Sequence, residues 1–305
     1  MQASVTGRPP IPAMTTDAER ECYYRLAKDA AGKGAIIELG AWLGASTAYI
    51  AAGIRDSGVN AKVCVYDKFQ SKPAHAAKVK IFYDKAGIDP IPTGHAREAF
   101  DRYLGPLLDQ VEVHEGQIEL LVGSLRPIAL LITDAPKRVG AISAVLRKLR
   151  KPLVPGAIMA WQDFGHFPSY EIPACLYRIR KHIDVVEAIV PGTTVVFRVK
   201  SQWTPSVVSA GAMALGRWTT AEIDEAWRYW SPVLPDEKRS LFECGKVLFL
   251  SDIGHVDDAC DALNRILDID VDAVIKKWKY LHDVRPDLVT RYRAMFDLLS
   301  ERGLL

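Results

Sequence analysis

Five acidic side chains recur at the ends of short apolar runs in this chain of 305 residues: Glu38 within 35–39, Asp67 after 62–66, Glu115 after 111–114, Asp134 after 128–133 and Asp163 after 157–161. A carboxylate can accept from two hydroxyls at once, so an acid at a strand end is suited to a ribose diol. Asp67 stands 23 residues after Gly44, the spacing at which such a diol is gripped. Glu38 begins the pattern Glu38-x-Gly40-x-x-x-Gly44-x-Ser46-Thr47, which reads as a buried strand, a tight turn and a helix start. Gly40 and Gly44 have no Cβ, so a ligand can approach bare backbone there. The acid at Glu38 argues against a phosphate in that turn and for a ligand bearing hydroxyls or positive charge. One further group could act on a substrate. His166, just past Asp163, is the best candidate general base because an imidazole titrates near neutral pH; a loop histidine with a structural hydrogen bond is the competing reading.

These groups need elements to hold them. The apolar runs are four to six residues long, β-rich and not cleanly alternating. Strands buried on both faces look like this, which points to a parallel sheet covered by helices. Helical segments alternate with the runs, so the expected fold is α/β: a doubly wound, seven-stranded, mostly parallel sheet. In such a sheet ligands sit beyond the carboxyl ends of the strands. Two runs, 185–190 and 194–199, flank Pro191-Gly192 and predict a closing hairpin with an antiparallel last strand. Thr15, Thr16 and Asp17 can cap a helix running to about Ala31.

The expected divisions are an irregular Pro-rich arm over 1–14, a ligand-binding domain over 15–200 and a helical C-terminal domain over 201–305. Helices are expected near 170–182, 220–229, 236–248, 256–267, 271–281 and 286–299. Four of the seven tryptophans, Trp218, Trp227, Trp230 and Trp278, fall in or at the edge of the helices after 216. They read either as an aromatic core, the preferred reading, or as a patch for a carbohydrate or a partner subunit. The segment 68–110, with His75 and His95, reads either as a substrate lid or as a solvated helix and loop.

Composition bounds the remaining classes. Lys and Arg total 39 against 37 Asp and Glu, so no nucleic-acid surface is expected. No apolar run has the length of a membrane span, and the first residues lack a signal-peptide core. The five cysteines are scattered without a Cys-x-x-Cys pair and read as reduced thiols. A cytoplasmic protein is expected.

The Glu38–Thr47 motif, then Asp67, Glu115-Gly116 and Asp134, resembles the class I S-adenosylmethionine-dependent methyltransferases over about residues 16–200. The resemblance implies S-adenosylmethionine as cofactor. By it, Glu38, Gly40, Gly44, Ser46 and Thr47 belong to the methionine end, Asp67 to the ribose, Glu115, Gly116 and Gln117 to the adenine side, and Asp134 to the rim. More narrowly, the motif and Gln162-Asp163-Phe164-Gly165-His166 resemble the macrocin O-methyltransferase and cephalosporin-hydroxylase-like group. That likeness implies O-methylation of a sugar or small hydroxylated metabolite. It also implies a magnesium ion, with Asp134 and Asp163 as ligands, and catalytic roles for Lys137, Asp163 and His166. Gln162 stands where that group has an acid, and Lys137 either replaces the ion's charge or abolishes its binding. Two other functions compete: a binding or assembly subunit that kept the fold, and a nicotinamide-dependent oxidoreductase. The turn lacks the Gly-x-Gly-x-x-Gly spacing of the latter. Homo-oligomerisation through the C-terminal helices is a further expectation.

Overall fold

A computed structural model describes residues 11–70, 76–92, 94–118, 126–284 and 286–305. Among the described residues the seven strands are β1 (Ala35–Leu39), β2 (Val63–Asp67), β3 (Val111–Glu115), β4 (Ile128–Thr133), β5 (Ile158–Trp161), β6 (Ile183–Ala188) and β7 (Val195–Val199). They form one sheet in the order β3-β2-β1-β4-β5-β7-β6. The first five are parallel, and β7 runs antiparallel between β5 and β6. This is the doubly wound sheet with the closing hairpin that the run pattern predicts.

Helices cover both faces: α1 (Asp17–Ala30), α2 (Ala45–Asp56), α3 (Ala76–Ala86) and α4 (Ala96–Leu104) precede β3, and α5 (Val139–Leu149) and α6 (Glu171–Arg178) follow β4 and β5. Side chains alternate across β1, so Ile36 packs with α1, α2 and α4. Ile37 and Leu39 join the opposite core with α5 and α6. α1 begins with a capping box in which Thr16 and Glu19 satisfy each other's backbone donors. Glu19 is almost wholly buried and has a second task. Its Oε1 accepts from Thr193 N at 2.9 Å, Thr194 N at 3.1 Å and Thr194 Oγ1 at 2.7 Å, which ties α1 to the β6–β7 turn.

After β7 come α7 (Ala210–Met213), α8 (Thr220–Trp230), α9 (Asp236–Asp252), α10 (Val256–Ile269), α11 (Val271–Val284), α12 (Pro286–Arg291) and α13 (Arg293–Glu301). The sequence predicts one helix over 286–299; the chain instead breaks at Tyr292, with φ −113° and ψ 38°. The Tyr292 hydroxyl donates to Asp252 at 2.8 Å. Likewise the helix expected over 170–182 ends at Arg178, and a 3₁₀ turn, Arg180–His182, leads into β6.

The tryptophans are core. Trp218, Trp227, Trp230 and Trp278 are all buried. Trp227 Nε1 donates to Phe242 O and Trp230 Nε1 to Pro173 O, each at 3.0 Å, so their polar edges are satisfied. The core of the C-terminal helices is continuous with one sheet face: Phe164, just past β5, packs against Phe197 of β7, Trp230 of α8 and Phe242 of α9, with ring centroids 5.3–6.1 Å apart. Among the described residues no helix is long and apolar enough to cross a membrane.

Candidate active site

The strand order lines up the carboxyl ends of β3, β2, β1, β4 and β5 as neighbours. Four interstrand steps span about 19 Å at ~4.8 Å each. Every acid singled out in the sequence stands on this rim, and two groups form along it.

The first group is the turn after β1. Gly40 and Gly44 have φ of 91° and 90°, which only glycine adopts freely. A Cβ on Gly40 would lie 2.8 Å from Ala135, and one on Gly44 would lie 3.0 Å from Phe100. Asp67 fastens the turn. Its Oδ2 accepts from Ala41 N at 2.7 Å and Trp42 N at 2.9 Å, and its Oδ1 accepts from Phe69 N at 2.6 Å. Oδ2 is thereby filled, and Oδ1 keeps one lone pair for a further donor. The sequence gives no sign that this acid holds backbone amides of the glycine turn. Glu38 lies beneath the turn, and its Oε2 accepts from Thr47 Oγ1 at 2.6 Å. Its Oε1 is buried with no partner. Burial pushes the Glu38 carboxyl up to about 8, against the Thr47 hydrogen bond and with help from the charges of Asp134 and Asp67. Ser46, half-buried, has its Oγ 3.4 Å from Thr15 Oγ1. Gly40, Ala41, Trp42, Ala45, Ser46 and Asp134 line a cleft of about 20 Å³, crossed by Ala13–Thr15. Glu115, Gly116 and Gln117 are exposed at the far end of the rim. Glu115 pairs in register with Asp67, and Gly116 N donates to Asp67 O at 2.9 Å.

The second group sits past β4 and β5. The Lys137 ammonium lies 3.1 Å from Asp134 Oδ1 and donates to Asp163 Oδ2. With its amide oriented by these surroundings, Gln162 donates to both Asp134 oxygens, at 2.5 and 2.7 Å. Asp163 also accepts from Thr193 Oγ1 at 3.3 Å and has His166 Nδ1 at 4.0 Å. Its φ is 59°, in a left-handed region that Asp tolerates better than most residues. Burial alone would lower Lys137, but the two carboxylates outweigh it and hold the ammonium above its ordinary range. Burial would raise Asp163, yet Lys137 and His166 bring it below the ordinary carboxylate value. Asp134 is raised, by burial foremost.

The magnesium expectation meets this arrangement directly. A fixed ammonium fills the space between Asp134 and Asp163, and Gln162 offers an amide donor to Asp134 where an anionic ligand was needed. A divalent cation wants several convergent oxygens and no competing positive charge. The donor set does not fit the ion.

Sequence reasoning missed Thr193 and Glu19. Thr193 sits in the β6–β7 turn, 30 residues from Asp163, with no motif to mark it. The Thr16-x-x-Glu19 box was readable, but only as a helix cap. His95 pairs with Glu98 at 2.9 Å at the start of α4, exposed. His75 lies outside the described residues.

Residues 37–164 match the family described as "Methyltransferase domain". No curated protein matches the chain. Among solved structures, the chain is similar to the O-methyltransferase NovP, at 20% identity over 63% of this chain and 83% of that one, TM-score 0.48. It is also similar to the Podospora anserina methyltransferase PaMTH1 bound to SAH (18% identity, 62% and 80% covered, TM-score 0.38). A third is the CcbJ methyltransferase of Streptomyces caelestis (14% identity, 65% and 96% covered, TM-score 0.38). The domain match spans the glycine turn, Asp67, Glu115, Asp134 and Asp163, and it sets aside the nicotinamide reading. Residues 37–164 therefore match a methyltransferase domain, in accord with the resemblance to the class I S-adenosylmethionine-dependent methyltransferases.

Proposed function

We propose that the chain transfers a methyl group to a hydroxyl of a sugar or small hydroxylated metabolite, with a lysine doing the electrostatic work of a metal. The observation that carries this reading is the Lys137 ammonium held between Asp134 and Asp163, with His166 Nδ1 4.0 Å from Asp163.

The turn of Gly40–Ser46 holds the methionine end of the cofactor, with bare backbone at the glycines. The spare lone pair on Asp67 Oδ1 suits a ligand that donates an O–H or N–H. Asp67 takes the ribose, and Glu115, Gly116 and Gln117 flank the base. The small cleft requires Ala13–Thr15 to move aside on binding. Once bound, S-adenosylmethionine supplies an electrophilic methyl group on a sulfonium.

The chain's residues act on the acceptor. Its hydroxyl would lie near Lys137, and His166 would take the hydroxyl proton as the oxygen attacks. Lys137 stays charged throughout and stabilises the developing alkoxide. Asp163 orients Lys137 and stands 4.0 Å from His166 Nδ1, Ser169 Oγ lies 3.4 Å from the same nitrogen, and Thr193 orients Asp163. Methyl transfer is an in-line displacement, so most of the rate comes from holding these groups in place. Trp218, Trp227, Trp230 and Trp278 are buried, so these tryptophans do not offer a docking patch for an assembly subunit.

Titration with S-adenosylhomocysteine, followed by a product-release assay over a panel of polyols, sugars and phenols, tests the reading. Binding together with transfer to a hydroxylated acceptor supports it. No binding at millimolar cofactor, or transfer only to nitrogen acceptors, overturns it.

A further inference from the structure

A second cluster of chemically active side chains lies away from the rim's acceptor end, on β2 and the edge strand β3. The parallel register pairs Cys64 with Glu112 and Tyr66 with His114. Residues two apart on a strand share a face, so all four side chains stand together on one side of the sheet. Glu112 Oε1 lies 2.9 Å from His114 Nε2, and Glu112 Oε2 lies 3.9 Å from Cys64 Sγ. The three ligand atoms are all within 4.8 Å of one another. The Tyr66 ring stacks on the His114 imidazole, with centroids 4.5 Å apart and planes 13° from parallel, which fixes the imidazole's orientation. Cys64 and His114 are half-buried and Glu112 is exposed, so the cluster is reachable from solvent.

We propose that Cys64, Glu112 and His114 form a binding site for a borderline transition-metal cation of the Zn²⁺ class. One sulfur, one nitrogen and one oxygen ligand suit that class and argue against magnesium or calcium, which take oxygen sets. Tetrahedral zinc at its usual bond lengths separates its ligand atoms by about 3.3–3.6 Å. Side-chain adjustments of about 1 Å bring the three atoms to that geometry, with water in the fourth position. On binding, the Cys64 thiol proton passes to solvent and sulfur takes the metal. The thiolate and carboxylate then neutralise the dication. The ion would clamp the edge strand to its neighbour, directly before Glu115. The site shares no residue with the proposed acceptor chemistry and stands or falls independently of it.

Chelator-treated protein titrated with Zn²⁺ alone, and with Co²⁺ as a spectroscopic probe, tests this. The wild type should bind one equivalent, show a thiolate-to-cobalt charge-transfer band and melt at higher temperature with zinc. Cys64→Ser should lose the band, and His114→Gln should weaken binding at least tenfold. Cys260→Ser, which removes a half-buried thiol elsewhere, should behave as wild type. If Cys64→Ser does not fold, loss of affinity in His114→Gln and Glu112→Gln decides the matter. No uptake by the wild type, a band that survives Cys64→Ser, or wild-type affinity in both the His114 and Glu112 variants overturns the site.

Discussion

The Thr47 hydroxyl donates to Glu38 at 2.6 Å, and it serves only one of the two carboxyl oxygens. The other is buried without a partner, which is why the carboxyl holds its proton up to about pH 8 instead of the ordinary 4.5. A group whose folded pKa is raised gives its full stabilisation below the unfolded value. It loses that stabilisation as pH rises through the folded value. Wild-type stability should therefore fall between pH 4.5 and 8, by at most ~1.4 kcal/mol per pH unit from this group. Glu38→Gln keeps an acceptor for Thr47 and cannot ionise, so its denaturation midpoint should vary less over that window. Parallel pH profiles for the two proteins would show that Glu38 does not titrate there.

Asp67 accepts from three backbone amides of two loops. Asp67→Asn turns one acceptor oxygen into a donor facing other donors. We expect a loss of about 1–3 kcal/mol in urea unfolding, the cost of leaving buried donors unpaired. Affinity for S-adenosylhomocysteine should drop at least tenfold, because the glycine turn loses its fastening. Wild-type affinity in this variant would mean the turn holds its shape unaided.

Lys137 stays charged across the working pH range, so its effect on turnover should be flat with pH. Lys137→Ala should lower kcat by about 10²–10³, the usual cost of losing one preorganised group at a developing anion. Cofactor binding should stay within twofold of wild type. Added magnesium should leave the wild-type rate unchanged. Stimulation of the wild type by magnesium would restore the ion to the site and displace the lysine from its proposed role.

His166→Gln should lower kcat by about 10²–10⁴, the range for a general base, with the affinity for S-adenosylhomocysteine unaltered. Thr193→Val should act more weakly through Asp163, reducing kcat without changing cofactor affinity. If His166→Gln retains full turnover, the imidazole is a structural loop group.

Much of this was legible beforehand because the signals are local. The central strands β4 and β5 show as apolar runs, whereas the edge strand β3 alternates and exposes Glu112 and Glu115; Gly40 and Gly44 mark a turn by what they lack. The acids at the strand ends follow from the runs themselves. What could not be read was long-range. Asp67 bonding back to Ala41 and Trp42, Thr193 meeting Asp163 and Lys137 settling between two carboxylates all depend on strand order and loop path, and no spacing in the chain encodes those contacts. The break at Tyr292 was hidden for the same reason, since its partner Asp252 lies 40 residues away. The continuous core around Phe164 also changes how the C-terminal helices are to be probed. Trp230→Ala should cost about 3–5 kcal/mol and weaken the whole chain. Removing everything after Lys200 would strip Phe164 and Phe197 of their covering.

Glu19 has a kinetic consequence. Its bonds to Thr193 and Thr194 join positions separated by 174 and 175 residues, so they close only after nearly the whole sheet has been laid down. Contacts of such long separation form late, because the entropy of closing the loop must be overcome first. The same turn presents Thr193 to Asp163. During refolding, helical ellipticity should return well before methyl transfer does, and the interval between them should lengthen in Glu19→Gln. A nascent chain would stay inert until its last hairpin docks against its first helix.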